Sequence, residues 1–378
     1  MPTVVGSGVL TTGAMLSPSL RTEFKNMAMD YFKAYYDARY GKRNTYPQIK
    51  LEMSLIDNII ELQHSVEERR YKVGRSMCFI SSAGKVKREI FAASMRDRII
   101  HHLIFNEINP IFESLFIYDS YSCRKGKGTS MGIKRLQYHM RSCSECYTKP
   151  CWVLKCDLQG YFMSINRNKL FEIVIGEIDK AIQKGKTSPD FDYDTIKYLI
   201  WATIFNDPTK GCYRKGSLAD WDELPRSKSL FYAAPGCGLP IGNLTSQLFS
   251  NVYLNVFDQW MKRVMKVKHY GRYVDDFFVI SQDKQELLDM IPLIKEFLRD
   301  ELCLTLHPKK IYLQPVSHGV RFLGAFVKPN RVYMDRNSQR RMYDHIDEVL
   351  TIEDNPYQLQ SVLNSYKGLH SKFYGTFH

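Results

Sequence analysis

The sequence predicts an α+β fold, in which short strands pair as hairpins among amphipathic helices. Residues 268–280 are typical of a β-hairpin, because apolar and aromatic runs flank Asp275 and Asp276 near its tip. Residues 151–157 form a second apolar run, of the kind found in a buried strand. Apolar side chains also recur at helical spacing over 20–38, 49–68, 99–116, 195–205, 248–264 and 284–302.

The length and charge of the chain limit its class. Its 378 residues are enough for two or three subdomains around more than one core. Lys and Arg number 53 against 40 Asp and Glu, and the net charge of +13 favours a polyanionic partner. Charge alone does not separate nucleic acid from an anionic membrane surface. However, no apolar run approaches the roughly 20 residues that a membrane helix needs, so we expect no membrane partner.

Cysteine usage favours a reducing compartment. The chain has nine cysteines, and residues 1–19 lack the basic leader and cleavage site of a signal peptide. We therefore expect reduced thiols and a cytoplasmic location. Cys143 and Cys146 begin a local cluster that could bind zinc, but the apolar run between Cys151 and Cys156 favours packing instead.

Two basic segments lie in the first third of the chain. In residues 78–98, Lys85, Lys87 and Arg88 follow a strand-like run, and an arginine fork binds phosphate in bidentate fashion. Residues 119–129 form a basic, glycine-rich loop that could cradle phosphate, although it lacks the glycine spacing of a Walker A loop.

The second half of the chain contains less regular patterns. Residues 166–235 are interpreted as an insertion that shapes a substrate groove. Pro292 should kink or restart the helix at 284–302, because proline removes a helical hydrogen bond. Residues 320–327 are typical of a hairpin, and the polar stretch from about Met334 is typical of helices.

Three acidic residues are candidates for a metal site. Burying Asp275 and Asp276 among aromatic residues is costly unless a cation or hydrogen-bond donors compensate the charge. A plain hairpin turn is the alternative, because aspartate is a common turn residue. Asp157 ends an apolar strand and would supply the third carboxylate. Two Mg²⁺ ions held in this way can activate an attacking hydroxyl and stabilise a leaving pyrophosphate.

Together these motifs resemble a reverse transcriptase over residues 79–327, with its catalytic signature at 273–276. The resemblance implies a right-hand polymerase fold with an antiparallel-sheet palm, fingers and a short helical thumb. Residues 1–75 would form an N-terminal helical extension, 76–327 the fingers and palm, and 328–378 the thumb.

More narrowly, the chain resembles the enzyme of diversity-generating retroelements. Most reverse transcriptases carry Gln-Gly in the loop before the long helix, with Ser-Pro shortly after. This chain has Ile241-Gly242 and Ser246-Gln247 at those places, as the retroelement family does. The narrower match lies in residues 87–90, 96–98, 119–129 and 238–247.

The resemblance also implies roles for the residues of the site. Asp157 and Asp275 would hold two Mg²⁺ ions, or Mn²⁺, with Asp276 beside them as the third carboxylate. Phe162 would lie against the sugar 2′ position and favour deoxynucleotides, although a core phenylalanine is the alternative. Lys310 would donate a proton to the leaving pyrophosphate. The other nucleotide-binding positions are Lys85, Lys87, Arg88, Ile241, Gly242 and Gln247. Template and primer would meet Arg96, Arg98, Arg124, Lys127, Phe322, Leu323 and Gly324.

Ile241 is the main departure from other polymerases. A glutamine there can brace the incoming nucleotide by hydrogen bonds, whereas a branched apolar side chain cannot. Discrimination against wrong bases should therefore fall. In the family this accompanies error-prone copying of template adenines, and we hypothesise that Ile241 contributes to it here.

The function implied by the resemblance is RNA-directed DNA synthesis that copies a template-repeat RNA into adenine-mutagenised cDNA for mutagenic retrohoming. The partners would be that RNA, the cDNA–RNA duplex, deoxynucleoside triphosphates and a basic, pentameric accessory variability determinant protein. Bacteria, archaea or phages would encode such a system. One alternative is another bacterial reverse transcriptase, from a retron, a group II intron or an antiphage system. The other is a catalytically silent RNA-binding protein, against which the three intact aspartates argue.

Overall fold

The computed structural model describes residues 30–41, 45–81, 87–351 and 356–374, and it confirms the α+β class. The strands in this part of the chain are β1 (Met77–Ser81), β2 (Arg88–Ala92), β3 (Trp152–Asp157), β4 (Tyr213–Arg214), β5 (His269–Tyr273), β6 (Asp276–Ser281), β7 (Tyr312–Pro315), β8 (Val320–Phe322), β9 (Ala325–Lys328) and β10 (Arg331–Met334).

Helices surround these strands. In chain order they are α1 (30–39), α2 (Tyr46–Glu52), α3 (Leu55–Glu67), α4 (Met95–Leu115), α5 (Thr129–Cys143), α6 (Tyr161–Ser164), α7 (Arg167–Gln183), α8 (Tyr193–Phe205), α9 (Leu244–Gln259, continued by a π-helical turn to Val264), α10 (Lys284–Leu302), α11 (Arg336–Thr351) and α12 (Pro356–Tyr374). None of the described helices is both long and apolar enough to span a membrane.

The strands form three separate sheets. The central sheet has four antiparallel strands in the order β5-β6-β3-β7. A second sheet has the order β2-β1-β4, in which β1 pairs antiparallel with β2 and parallel with β4. β8, β9 and β10 form an antiparallel meander.

The two faces of the central sheet pack against different cores. Successive side chains of a strand point to opposite faces. Leu154 and Phe277 belong to the larger core, which includes residues of α4, α7, α9 and α10. Val153 and Phe278 belong to a smaller core with α5 and the β8–β9 hairpin. Packing on both faces therefore holds β3 and β6 in a fixed relation to each other.

Three helical predictions differ from the structure. Residues 49–68, predicted as one helix, form α2 and α3, and the helix breaks at Ser54, whose φ is −137° and ψ 53°. α10 runs through Pro292, so the predicted restart is wrong. Proline removes only one helical hydrogen bond, and Met290 and Ile294 bury the apolar face of α10 on either side of it. α7 occupies part of 166–235 for which the sequence pattern predicts no helix.

Other predictions concern single segments. The helix predicted at 20–38 is present over 30–39, and its first ten positions lie outside the described residues. Lys85 lies in 82–86, which is also outside them. Cys143 and Cys151 are buried in the smaller core, which agrees with the packing interpretation of the cysteine cluster.

Candidate active site

The register of the central sheet brings the predicted acidic residues together. Asp157, the last residue of β3, pairs across the sheet with Asp276, the first residue of β6. Asp275 precedes it in the two-residue turn that joins β5 to β6. Three carboxylates from two distant parts of the sequence therefore lie at one end of the sheet.

Two lysine side chains pair with two of these carboxylates. Lys310 Nζ lies 2.8 Å from Asp157 Oδ1, and Lys155 Nζ lies 3.0 Å from Asp276 Oδ2. The backbone N–H of His307 donates to the Asp157 carbonyl oxygen at 2.8 Å, which ties the segment before Lys310 to the end of β3. The lysines compensate carboxylate charges that would be costly to bury alone.

Burial disfavours the ionised forms of Asp275 and Asp276, in spite of the nearby lysines. Burial, and next the neighbouring Asp157, raise the pKa of Asp275 to about 6. Burial raises the pKa of Asp276 to about 7, even though Lys155 opposes the rise. Asp276 Oδ1 is buried and has no hydrogen-bond partner among the described residues. A further cation at this point would therefore stabilise both ionised carboxylates.

The donor atoms suit a hard divalent cation, although the carboxylates are not yet arranged around one. Among the described residues, no group of three or more His, Cys, Asp or Glu side chains could hold an ion as it stands. Lys155 and Lys310 hold two of the three carboxylates instead. Carboxylate oxygens are ligands that Mg²⁺ and Mn²⁺ prefer, and the buried Oδ1 of Asp276 has no hydrogen-bond partner within the described part of the chain. The oxygens of these carboxylates therefore suit a divalent ion, which would have to compete with the two lysines for them.

Phe162 and Ile241 pack against a third hydrophobic core, beside β2, which is separate from the two cores of the central sheet and is called the small core below. The Phe91 N–H donates to the Ile241 carbonyl oxygen at 2.9 Å, and the Leu239 N–H donates to the Phe162 carbonyl oxygen at 2.8 Å. The predicted nucleotide-binding loop is therefore held between β2 and α6. The buried members of this small core are Cys78, Phe91, Met163 and Leu230.

Gly242 is a point at which this loop approaches β2 closely. Its φ is +116°, and a Cβ there would lie 2.8 Å from Ile90 Cγ2. Only glycine accommodates both the backbone conformation and the contact. Gln247 follows on the first turn of α9, where its side chain is exposed.

Arg88 and Lys87 differ in what they face. Arg88 is exposed at the start of β2, and its charge partly offsets the rise in the pKa of Asp275. Lys87 instead pairs with Glu223 at 3.0 Å, on the segment before α9. Of the described cations predicted on the β1–β2 unit, Arg88 is the one whose charge acts on the carboxylate site.

The four cations predicted at template and primer, Arg96, Arg98, Arg124 and Lys127, all contact groups of the protein itself. Arg124 forms a bidentate pair with Glu113 and donates to two backbone carbonyls at 2.7 and 2.8 Å. Arg96 donates to a serine of α3 at 3.0 Å, and Arg98 donates to a backbone carbonyl at 3.0 Å. Lys127 Nζ lies 3.5 Å from the centre of a tyrosine ring. These side chains therefore brace the structure at and after α4.

The hairpin of β8 and β9 stands beside the carboxylates. Phe322 is buried and packs edge-to-face on an aromatic ring of β6, with 5.4 Å between ring centres. Leu323 and Gly324 form the turn, with φ values of +52° and +81°. Lys155 Nζ lies 5.8 Å from the centre of the Phe322 ring, so this lysine connects the hairpin to Asp276.

Lys155 is a site residue that the sequence reasoning misses. Because side chains alternate along a strand, Lys155 shares a face with Asp157, two residues later. A lysine within an otherwise apolar strand is itself a signal, since a charge at such a position needs a partner. In the structure that partner is Asp276.

The comparison with protein families gives the same assignment as the motifs. Residues 81–327 match the family model described as reverse transcriptase (RNA-dependent DNA polymerase). The match covers well over half of the chain, and the chain belongs to this family. The prediction of a reverse transcriptase fold is confirmed, and the central sheet is its palm.

Several known proteins are similar to this chain. It is 26% identical to Protein YkfC of Escherichia coli (strain K12) over 275 residues. The aligned region covers 64% of this chain and 63% of that protein. It is 21% identical to an uncharacterized 91 kDa protein in the cob intron of Schizosaccharomyces pombe over 219 residues. That aligned region covers 57% of this chain and 22% of that protein. The chain thus spans less than two thirds of the length of either relative. Among solved structures it is similar to apo telomerase from Candida tropicalis, with a TM-score of 0.46, 11% identity, and coverage of 71% of this chain and 49% of that one.

Proposed function

We propose that this chain is an RNA-directed DNA polymerase, a nucleotidyltransferase that extends a primer along an RNA template with deoxynucleoside triphosphates. The observation that carries the proposal is the pairing of Asp157 with Asp276 across the central sheet, with Asp275 in the adjoining turn. Three carboxylates at one point of a reverse transcriptase palm supply the ligands that two-metal nucleotidyl transfer requires. The net charge of +13 suits polyanionic substrates.

Asp157, Asp275 and Asp276 would hold two Mg²⁺ ions, or Mn²⁺ in their place. Such a pair, when bound, activates the primer 3′-hydroxyl and stabilises the charge of the leaving pyrophosphate. Lys155 and Lys310 would then give up their carboxylate partners. The Lys310 side chain is 44% exposed, which leaves it room to turn toward the triphosphate. From there its Nζ would donate a proton to the pyrophosphate oxygen as it leaves.

The incoming nucleotide would lie between Arg88 and the loop at 238–242. Phe162 would face the sugar 2′ position and exclude ribonucleotides by steric contact, which its partly buried place at the margin of the small core allows. Gly242 would let the base pair approach the backbone closely. Gln247 would contact the nucleotide from the exposed first turn of α9. Further positive charge would come from Lys85 and Lys87.

The template–primer duplex would lie beside the β8–β9 turn and the surface that follows β2. Phe322, Leu323 and Gly324 would support the primer end. The four nearby cations already contact protein groups, so we propose that they shape this surface and its potential rather than each binding one phosphate. These cations are Arg96, Arg98, Arg124 and Lys127.

We propose the same three parts of the chain as the sequence predicts: a helical extension at 1–75, fingers and palm at 76–327, and a helical thumb at 328–378. The pairing of β1 with β2 and the central sheet support the second part. α11 and α12 support the third. β10 pairs with β9 across the second boundary, so the first residues of the third part extend the β8–β9 hairpin.

Within the family, we propose the diversity-generating retroelement type. The motifs at 87–90, 119–129 and 238–247 support it. The chain would copy a template-repeat RNA with errors at adenines, for mutagenic retrohoming, together with a basic, pentameric accessory protein in the cytoplasm. Ile241 supports the error-prone part, because it brings an apolar side chain to the margin of the small core beside Phe162.

An intron-encoded reverse transcriptase is the second candidate. The observation that favours it is the similarity to the Schizosaccharomyces pombe protein in the cob intron. An enzyme of that type would use the same carboxylates but would have no preference for errors opposite adenine.

Primer extension with sequencing of the product tests both proposals. The full chain is supplied with an RNA template, a DNA primer, deoxynucleotides and Mg²⁺ or Mn²⁺. We expect the native protein to extend the primer and Asp276→Asn not to extend it. In the product of the native protein, we expect substitutions to be concentrated opposite template adenines. Errors spread evenly over the four template bases would favour the intron-type candidate. RNA binding without extension in either metal would identify a silent RNA-binding protein and contradict the main proposal.

A further inference from the structure

The turn that carries the aspartates contains a residue with an unfavourable backbone conformation. β5 and β6 are joined by Val274 and Asp275, since Tyr273 pairs with Asp276. Val274 has a φ of +55°, a region that is disfavoured for β-branched residues. Such a conformation persists only where its surroundings hold it in place. The turn therefore needs a contact that fixes Val274.

Arg272 supplies that contact from within the sheet. Its Nη1 donates to the Val274 carbonyl oxygen at 2.8 Å. The Arg272 side chain is only 1% exposed, so water cannot readily replace this hydrogen bond. Loss of the donor would leave a carbonyl without its partner at the base of the turn.

Asp258 on α9 fixes the orientation of the Arg272 guanidinium. The Asp258 carboxylate accepts hydrogen bonds from Nε at 2.8 Å and from Nη2 at 2.6 Å, which is a bidentate pair. The Tyr270 hydroxyl also donates to Asp258 Oδ1, at 2.6 Å. Asp258 is fully buried, so the guanidinium is held in the orientation that directs Nη1 to the Val274 carbonyl.

The main chain of Arg272 is anchored independently of its side chain. Its N–H donates to the Asp119 carbonyl oxygen at 2.9 Å, and its own carbonyl accepts from the Tyr121 N–H at 3.0 Å. Removing the side chain therefore leaves the position of β5 supported. It also leaves the buried Asp258 carboxylate without its ion-pair partner, so a variant that tests the turn must replace or retain that charge.

We infer that Arg272 is a positioning residue for the metal-binding turn, and that Asp258 fixes its orientation. This inference rests on the proposed function. Without the pair, Val274 relaxes, and Asp275 and Asp276 lose their placement relative to Asp157. The folded protein then binds divalent ions more weakly. A purely structural role would instead lower stability and leave the ion affinity of the folded protein unchanged.

Three variants separate these roles. Arg272→Lys keeps the charge, but an ammonium group cannot reproduce the planar fork that reaches Asp258 and Val274 together. An apolar variant combines Arg272→Met, Asp258→Leu and Tyr270→Phe, a type of replacement that often preserves stability. Tyr253→Phe is the control, since it removes a buried hydrogen bond of 2.7 Å from α9 to a carbonyl of α10 and leaves the turn untouched.

The measurements are Mn²⁺ binding by electron paramagnetic resonance, the thermal unfolding midpoint and the rate of primer extension. Binding is measured with a chain-terminated RNA–DNA duplex and an incoming nucleotide. We expect Arg272→Lys and the apolar variant to bind Mn²⁺ about 10- to 100-fold more weakly than the native protein. The apolar variant should keep a midpoint near the native one. Tyr253→Phe should lower the midpoint and keep the native Mn²⁺ affinity.

Native Mn²⁺ affinity and extension rate in either folded Arg272 variant would overturn the inference and leave the proposed function intact. If the apolar variant does not fold, Arg272→Lys decides the question alone. Absence of both Mn²⁺ binding and primer extension in the native protein would instead count against the proposed function, and this inference would fail with it.

Discussion

Lys155 and Lys310 explain how three carboxylates can lie together before any metal ion binds. Lys155 pairs with Asp276 at 3.0 Å and Lys310 pairs with Asp157 at 2.8 Å. Each ammonium group lowers the cost of a partly buried carboxylate. Each also competes with a divalent ion for the same oxygen. Lys310 is the more exposed of the two, and so it is the one that can turn toward a substrate.

The role proposed for Lys310 predicts a large loss of rate on its removal. Lys310→Met should slow primer extension at saturating nucleotide by about 10²- to 10⁴-fold, because the leaving pyrophosphate loses its proton donor. Lys309→Met removes a neighbouring exposed cation and should leave the rate essentially unchanged. Single-turnover kinetics measures both. Full activity in Lys310→Arg would show that charge alone suffices, since arginine does not release its proton.

His101 gives the fold a pH dependence that is separate from the carboxylate site. Burial in α4 lowers the pKa of His101 from 6.5 to about 4. Between these values the unfolded chain binds more protons than the folded chain. The free energy of unfolding should therefore fall on acidification through this window, by on the order of 1–3 kcal/mol.

Urea unfolding at a series of pH values tests this assignment. His101→Leu should remove part of the slope between about pH 6.5 and 4. His318→Leu, at an exposed position, serves as the control and should keep the native slope. The same slope in His101→Leu and in the native protein would show that another group is responsible.

At the scale of elements, the sequence predicts helices and strands best where the regularly spaced apolar residues all lie on a face that is buried. The helix predicted at 195–205 is α8, and the strand predicted at 151–157 is β3. The prediction fails between α2 and α3, because Met53 and Ile56 continue the helical spacing but are 82% and 63% exposed. Periodicity reports the spacing of apolar residues, and it does not report whether the helix is continuous or what covers it.

The loop at 238–242 depends on the glycine at 242, where its backbone lies close to β2. In Gly242→Ala the new Cβ would lie 2.8 Å from Ile90 Cγ2 in a backbone with φ +116°. We expect a loss of stability of about 1–3 kcal/mol from the strained backbone. The KM for deoxynucleotides should rise, because the loop moves away from β2. An unchanged midpoint and KM would show that the loop does not contact the nucleotide.

The same loop allows a clean test of Ile241. The Ile241 backbone is held by a hydrogen bond from Phe91 at 2.9 Å, so a side-chain change should leave the loop in place. Ile241→Gln should reduce substitutions opposite template adenine, since the amide can brace the correct nucleotide by hydrogen bonds. Ile241→Val is the matched control and should keep the native error spectrum. Sequencing of cDNA from each variant decides; an unaltered spectrum in Ile241→Gln removes this residue from the explanation.

At the scale of the whole molecule, the sequence predicts those parts of the site whose positions follow from the pairing of strands. The acidic residues meet because β3 and β6 are neighbours in the sheet, and one apolar strand that ends in aspartate and another that begins with it indicate this arrangement. The side-chain partners are not predictable in the same way. Arg124 has the sequence context of a phosphate ligand, yet it is 6% exposed and engaged with Glu113. A sequence motif shows that a charged side chain is present. Which group that side chain contacts depends on how distant elements pack together.

The two cores on either side of the palm sheet are what hold the site together. Leu154 and Phe277 bind β3 and β6 to the helices on one face, and Val153 and Phe278 bind them to α5 and the β8–β9 hairpin on the other. The distance between Asp157 and the turn of β5 and β6 is therefore set by the whole fold rather than by local sequence.

Anomalous X-ray scattering from Mn²⁺ tests the central claim most directly. The full chain would be crystallised with an RNA template, a chain-terminated DNA primer, an incoming deoxynucleotide and Mn²⁺. We expect two anomalous peaks between Asp157 and Asp275, with Lys310 turned from Asp157 toward the triphosphate. Peaks elsewhere, with the Asp157–Lys310 and Asp276–Lys155 pairs still intact beside a bound nucleotide, would contradict the account.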